Sequence, residues 1–121
     1  MQNQKQTLGK EGERLAENYL RKKGYRLVER NYRSPVGELD LIVLDRRVIV
    51  FVEVKTRTQE RFGLPLESVH PIKQRNMMKA ALFFLSQHQL YDREARFDVI
   101  GVSFGNGEPI IEHIENAFEL S

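Results

Sequence analysis

Apolar and polar residues recur along this chain with two periods, one of about 3.6 residues and one of two residues. The longer period is typical of a helix with one packed face, and the shorter of a strand with one buried face. The predicted elements are, in order, a helix over 8–23 that ends at Gly24, strands over 25–32, 38–44 and 48–56, a helix over 71–87, and strands over 97–104 and 109–114. This order predicts an α/β fold in which helices cover a sheet.

Three of these elements carry further detail. The strand over 48–56 is apolar on both faces, which predicts a central position in the sheet, and the strand over 109–114 is expected at an edge. Small residues on the packed side of the first helix predict a close approach to the sheet: Gly9, Gly12 and Ala16. The second helix is expected to bury Ile72, Met78, Ala81, Leu82 and Leu85.

Length and composition favour a single domain. The chain has 121 residues, of which 40% are hydrophobic and 30% charged, as is ordinary for a globular protein. Residues 1–7 are polar, and we expect them to be disordered. The absence of cysteine excludes disulfides and thiolate chemistry and fits a reducing compartment. Because the chain shows neither a signal peptide nor a membrane-spanning run, we expect a cytoplasmic protein.

The net charge is only +2, but basic residues are concentrated near the end of the first helix. They are Arg21, Lys22, Lys23, Arg26, Arg30 and Arg33. Such a stripe can follow the phosphates of a nucleic acid. The alternative is a solvated helix end, since lysine and arginine also suit a helix C-terminus.

Acidic residues on two adjacent strands are the strongest candidates for chemistry. Glu38 and Asp40 alternate onto one face of the first strand of the hairpin, and Glu53 and Lys55 onto one face of the second. A turn of two or four residues places Asp40 opposite or diagonal to Glu53. Facing carboxylates repel each other on a half-buried sheet, and one lysine cannot neutralise three acids.

A divalent cation would resolve this repulsion. Two carboxylates, water and a substrate phosphate form a typical magnesium site, so we expect Mg²⁺ (or Mn²⁺) to bind here. Lys55 would then orient or deprotonate the attacking water and stabilise the transition state. Glu13, at the rim of the packed face of the first helix, either points at this cation or is a solvated glutamate.

The motif Gly37-Glu38-Leu39-Asp40, followed by Phe51-Val52-Glu53-Val54-Lys55-Thr56-Arg57, resembles the PD-(D/E)xK nuclease superfamily. Over nearly its whole length the chain resembles the YraN-like family of small bacterial proteins. It is also similar to archaeal Holliday junction resolvases. The resemblance implies a restriction-endonuclease-like αβββαβ core with a mixed central sheet. It further implies that Glu13, Asp40, Glu53 and Lys55 form the metal and catalytic set, with the Val54 carbonyl as a further ligand and Glu38 in a less defined role.

We therefore hypothesise a metal-dependent nuclease that hydrolyses phosphodiester bonds in DNA, including branched DNA, and acts as a homodimer. The residues expected to contact nucleic acid are Arg57, Lys22, Lys23, Arg26, Arg33 and Lys73. Two alternatives share the same sequence features. One is a nucleic-acid-binding module without catalysis, and the other is a protein-interaction domain whose acids bind a basic partner.

Overall fold

The computed structural model describes residues 4–58 and 69–119. Its elements are α1 (Gln4–Lys22), β1 (Arg26–Ser34), β2 (Gly37–Asp45), β3 (Val48–Arg57), α2 (Pro71–Gln87), β4 (Ala95–Ser103) and β5 (Ile110–Phe118). The predicted α/β class, the αβββαβ order of elements and the mixed central sheet are confirmed. Within the described ranges, no helix is both long enough and apolar enough to cross a membrane.

One mixed sheet organises the molecule. Its strand order is β1-β2-β3-β4-β5, so β3 is central and β5 lies at an edge, as the sequence predicts. β3 and β4 run parallel, while the other neighbours are antiparallel. A parallel pair requires a long crossover connection, and α2 lies within this one.

The two helices cover opposite faces of the sheet. Along β3, Val50 and Val52 belong to the core under α1, whereas Ile49 and Phe51 belong to the core under α2. All four side chains are at most 2% exposed. Burial on both faces explains why this strand is apolar throughout.

The first helix is longer than expected. It begins at Gln4, so residues 4–7 are helical and the expectation of disorder was wrong for them; residues 1–3 lie outside the described part of the chain. Its end is as predicted. Gly24 has a φ of 97°, and the Tyr25 N–H donates to the Leu20 carbonyl at 2.9 Å, which is the Schellman arrangement of a helix C-terminus.

The second helix has the predicted start and end, but the predicted buried face was partly wrong. Ile72 and Leu82 are 56% and 51% exposed, and Met78 is only partly buried. The buried residues are Met77, Ala80, Ala81, Phe84 and Leu85. Because apolar residues surround this helix on several sides, hydrophobicity alone did not identify the side that packs.

Two glycines permit close contact between helices and sheet. A Cβ on Gly12 would lie 2.4 Å from Thr56 Oγ1, where α1 crosses β3. A Cβ on Gly37 would lie 2.6 Å from the backbone oxygen of Asn76, where α2 crosses β2. Gly9, which was expected to contribute in the same way, has open space around it. Gly37 therefore fixes the height of α2 above the strand that carries Asp40.

Candidate metal site

Asp40 and Glu53 meet where β2 and β3 separate. The last pair of this antiparallel ladder is Leu41 with Val52. Continued by one residue, the same register places Asp40 opposite Glu53. Beyond that pair, the Val54 N–H donates to Asp40 Oδ2 at 2.8 Å. The aspartate thus replaces a backbone acceptor at the end of the ladder, and the predicted juxtaposition of the two acids is present.

Burial makes this pair of acids electrostatically unfavourable. It raises the pKa of Glu53 to about 7, and the charge of Asp40 contributes in the same direction. Burial also raises the pKa of Asp40, although the hydrogen bond from the Val54 N–H opposes the change. Carboxylates only accept hydrogen bonds, and within residues 4–58 and 69–119 the buried Glu53 Oε2 has no donor. A proton shared with Asp40, or a cation, would supply the missing partner.

Lys73 contributes a positive charge to the pair. It lies in the first turn of α2, and its Nζ is 3.5 Å from Glu53 Oε1. Its positive charge lowers the pKa of both Glu53 and Asp40. Sequence reasoning assigned Lys73 to nucleic-acid binding and did not anticipate this contact, because it depends on the height and rotation of α2.

Glu13 and Glu38 approach the pair from different sides. Burial raises the pKa of Glu13, and the charge of Asp40 raises it further, so Glu13 lies within electrostatic range of Asp40. Glu38 is exposed and lies 3.8 Å from Arg33 on the neighbouring strand. Over residues 4–58 and 69–119, no three acid, histidine or cysteine side chains converge closely enough to hold an ion by themselves. Water or substrate oxygens would therefore have to complete a cation's coordination.

Val54 and Lys55 occupy the positions that the strand pattern predicts. Lys55 is half-buried two residues beyond Glu53, on the same face of β3. The N–H and C=O of one strand residue point to the same side, so the Val54 carbonyl points toward β2 with its N–H. Their roles as catalytic base and ligand remain predictions.

Asn31 is a site residue to which sequence reasoning assigned no role. It lies between two pairs of the β1–β2 ladder, Arg30 with Leu41 and Tyr32 with Leu39, and is therefore opposite Asp40. Its φ is 52°, a left-handed conformation that asparagine tolerates better than most residues.

Two cavities meet at Asn31. The larger, about 340 Å³, is a groove between α1 and β1 that Glu13 also lines. The other residues around it are Lys10, Arg14, Glu17, Arg30 and Leu41. The smaller, about 40 Å³, is lined by Tyr32, Arg33, Glu38, Leu39 and Asp40. The groove beside the cations of α1 therefore adjoins, at Asn31, the small cavity that Asp40 lines.

The predicted nucleic-acid contacts do not form one surface. Lys22, Lys23 and Arg26 lie near the β2–β3 turn: Arg26 pairs with Leu44, about 13 Å along β2 from Asp40. Lys23 Nζ is 3.1 Å from His113 Nδ1 and is already engaged. Only Arg33 and Lys73, of the six, lie near the acids.

Arg57 requires a correction. It was expected to meet a phosphate, but it is 7% exposed and pairs with Glu112 of β5. The sequence shows only that Arg57 shares a face with Lys55. It does not show that β5 continues alongside and covers the end of β4, which is what removes this arginine from the surface.

The sequence comparisons agree on one family. The model of the uncharacterised protein family UPF0102 matches residues 12–102. UPF0102 proteins of Geobacter metallireducens and Geotalea uraniireducens are each 49% identical to this chain. Each match covers 95% of this chain, together with 94% of the Geobacter protein and 91% of the Geotalea protein. The structure of Pyrococcus furiosus SfsA in complex with Ca²⁺ is similar with a TM-score of 0.43 and 15% identity, covering 92% of this chain and 63% of that one. A likeness this distant supports no argument about function.

Proposed function

Because the chain belongs to the uncharacterised protein family UPF0102, we propose its function from its own geometry: a metal-dependent nuclease that hydrolyses phosphodiester bonds in DNA. One observation carries the proposal. Asp40 and Glu53 lie half-buried where β2 and β3 separate, and no described residue donates a hydrogen bond to the buried Glu53 Oε2. Leaving such groups without compensation is unfavourable, and proteins retain strained ionisable pairs mainly at functional sites.

The donor set fits a hard divalent cation. Asp40 and Glu53 supply carboxylate oxygens, the Val54 carbonyl points to the same side, and Glu13 of α1 lies within electrostatic range of Asp40. Oxygen donors of this number, completed by water and phosphate, suit Mg²⁺ or Mn²⁺. When bound, the cation would lower the pKa of water and offset negative charge on the phosphoryl group.

The remaining residues have separate tasks in the hydrolysis. A water oxygen attacks phosphorus and gives up a proton to solvent, the ester bond on the far side breaks, and the departing oxygen takes up a proton from solvent. Lys55 lies on the face of β3 that carries Glu53, where it can orient the water and stabilise charge in the transition state. Arg33 and Lys10 lie at the two cavities beside the acids and can hold the flanking phosphates.

A second function has some support. The described residues do not bring three ion-holding side chains together, as expected for a nucleic-acid-binding module that has little or no catalysis. Both functions require DNA to bind at the same end of the sheet. The resemblance to junction-cutting enzymes suggests branched DNA as substrate, and cutting two strands would require a symmetric pair of chains.

Cleavage assays separate these functions. Purified protein is incubated with a four-way DNA junction, a linear duplex, single-stranded DNA and single-stranded RNA, with Mg²⁺, Mn²⁺ or chelator. We expect metal-dependent cutting of the junction, reduced by roughly a hundredfold or more in Asp40→Asn, Glu53→Gln and Lys55→Met. Asp40→Asn preserves an acceptor for the Val54 N–H, so it tests charge rather than folding.

Lys79→Met is the matched control, because Lys79 is an exposed lysine of α2 away from the acids. It should cut like the wild type. Binding of DNA without any cleavage at high protein concentration would favour the binding module. Equal cutting by the wild type and Asp40→Asn would refute the assigned site.

A further inference from the structure

Lys73 occupies an electrostatically unusual position on its helix. His70 caps α2, its Nδ1 accepting from the Ile72 N–H at 3.1 Å, and Lys73 follows in the first turn. A helix N-terminus carries partial positive charge, so a lysine there is disfavoured unless an acid compensates it. The first turn of α2 contains no acid. The compensation comes from Glu53 on the sheet below.

The ammonium group of Lys73 neutralises the negative charge of Glu53 only in part. A charge-assisted hydrogen bond between an ammonium and a carboxylate is usually about 2.8 Å long, whereas Lys73 Nζ lies 3.5 Å from Glu53 Oε1. The contact reaches Oε1 only, and no described residue donates to the buried Glu53 Oε2. Lys73 therefore reduces the repulsion without satisfying the site.

The helix is fixed while the ammonium group is free to move. Asn76 lies directly over Gly37, and the Gln74 side chain donates to the Val69 carbonyl at 2.8 Å, so the first turns of α2 are held in place. The side chain of Lys73 is 46% exposed, whereas that of Glu53 is 13% exposed. Rotation about side-chain bonds can therefore carry Nζ from Glu53 into solvent beside the site without moving the helix.

From these contacts we propose that Lys73 is an exchangeable counter-ion of the acid pair, which yields Glu53 to the divalent cation and then contacts a phosphate of the DNA. The proposal rests on the metal site proposed above. A cation on Glu53 and an ammonium 3.5 Å away repel each other, so the two occupy the site alternately. Once displaced, the ammonium lies where an incoming phosphate would pass. Lys73 is then a positioning residue that couples metal binding to DNA binding.

Calorimetric titration with Mn²⁺ in the absence of DNA tests the first half of this exchange. We expect Lys73→Met and Lys73→Gln to bind Mn²⁺ roughly three- to tenfold more tightly than the wild type, because the competing charge is removed. Lys73→Arg should restore affinity close to that of the wild type, and Lys79→Met should not change it. Thermal unfolding of each variant confirms that it is folded.

Fluorescence anisotropy with a labelled DNA junction tests the second half of the exchange. Each reading is taken before cutting begins, and a denaturing gel of the same sample checks that the strands remain intact. Mn²⁺ should increase the DNA affinity of the wild type by several-fold more than that of Lys73→Met. Equal or weaker Mn²⁺ binding in Lys73→Met would overturn the exchange and leave the metal site standing. Absence of Mn²⁺ binding in both proteins would refute the metal site, and the exchange with it.

Discussion

At the scale of single residues, the site depends on which carboxyl group carries a proton. In the metal-free protein the pKa of Glu53 is about 7, above its ordinary value of 4.5, chiefly because the group is buried. The folded state therefore holds this proton more tightly than the unfolded state. The resulting contribution to the free energy of unfolding is fully present below pH 4.5 and is lost as the pH rises through about 7.

Glu53→Gln tests this directly, because glutamine imitates the protonated acid at every pH. In the presence of chelator, we expect the variant to exceed the wild type in free energy of unfolding by about 1–3 kcal/mol near pH 8. The difference should shrink toward about pH 5, where Glu53 of the wild type is itself largely protonated. Urea unfolding across this range provides the measurement.

Glu108→Gln, which removes an exposed acid from the β4–β5 loop, is the control and should follow the wild type. If Glu53→Gln were the less stable protein throughout the pH range, the acid pair would be a stabilising structural element rather than a strained site.

Residue-level features could be predicted where they depend on strand alternation alone. Asp40 and Glu53 were expected to face each other, because a two-residue turn fixes the register. The contact of Lys73 and the burial of Arg57 could not be foreseen in this way. Each depends on a partner distant in sequence, whose approach is set by packing rather than by local pattern.

At the scale of elements, α2 is the part of the fold that shapes the site. Its first turn carries Lys73, and its height above β2 is set at Gly37. Its ends were predictable from Pro71 and from the length of the apolar run. Its packed face was not, since Leu82 and Phe83 are as apolar as the buried residues. The tight contact at Gly37 selects the face that the pattern leaves open.

Alanine substitutions at two glycines test that role. We expect Gly37→Ala to lower the free energy of unfolding by about 1–3 kcal/mol, because the new Cβ would overlap the backbone oxygen of Asn76. Gly9→Ala, in α1 with open space around it, should raise it by up to about 1 kcal/mol, since alanine favours the helix. Chemical denaturation of both variants and the wild type measures the two effects. A stable Gly37→Ala would show that α2 can lift from β2, contrary to this account.

At the scale of the whole molecule, neighbouring acids of the sheet differ in how completely their charges are compensated. Asp98 of β4 is fully buried and pairs in register with Val52, the residue before Glu53. It accepts from Arg96 at 3.0 Å and from the Asn116 N–H at 3.0 Å, and lies 2.8 Å from His113. These contacts hold the pKa of Asp98 below its usual value despite burial. Asp40 and Glu53, by contrast, both have raised pKa values.

This contrast indicates that the strain at Asp40 and Glu53 is not a general property of buried acids in this fold. The same chain provides Asp98 with two hydrogen-bond donors and a neighbouring histidine ring, yet among the described residues Glu53 Oε2 has no donor. An arginine or histidine beside Glu53 would relieve the strain and block a cation. The pair of Asp40 and Glu53 is therefore the place at which an exogenous cation is expected.

Crystals of the metal-free protein soaked in Mn²⁺ test this central claim most directly, because manganese is located by its anomalous scattering. We expect an anomalous peak between the carboxylates of Asp40 and Glu53, roughly 2 Å from an oxygen of each, with Lys73 withdrawn from Glu53. A Mn²⁺ peak elsewhere, or none, with Lys73 still in contact with Glu53, would contradict it.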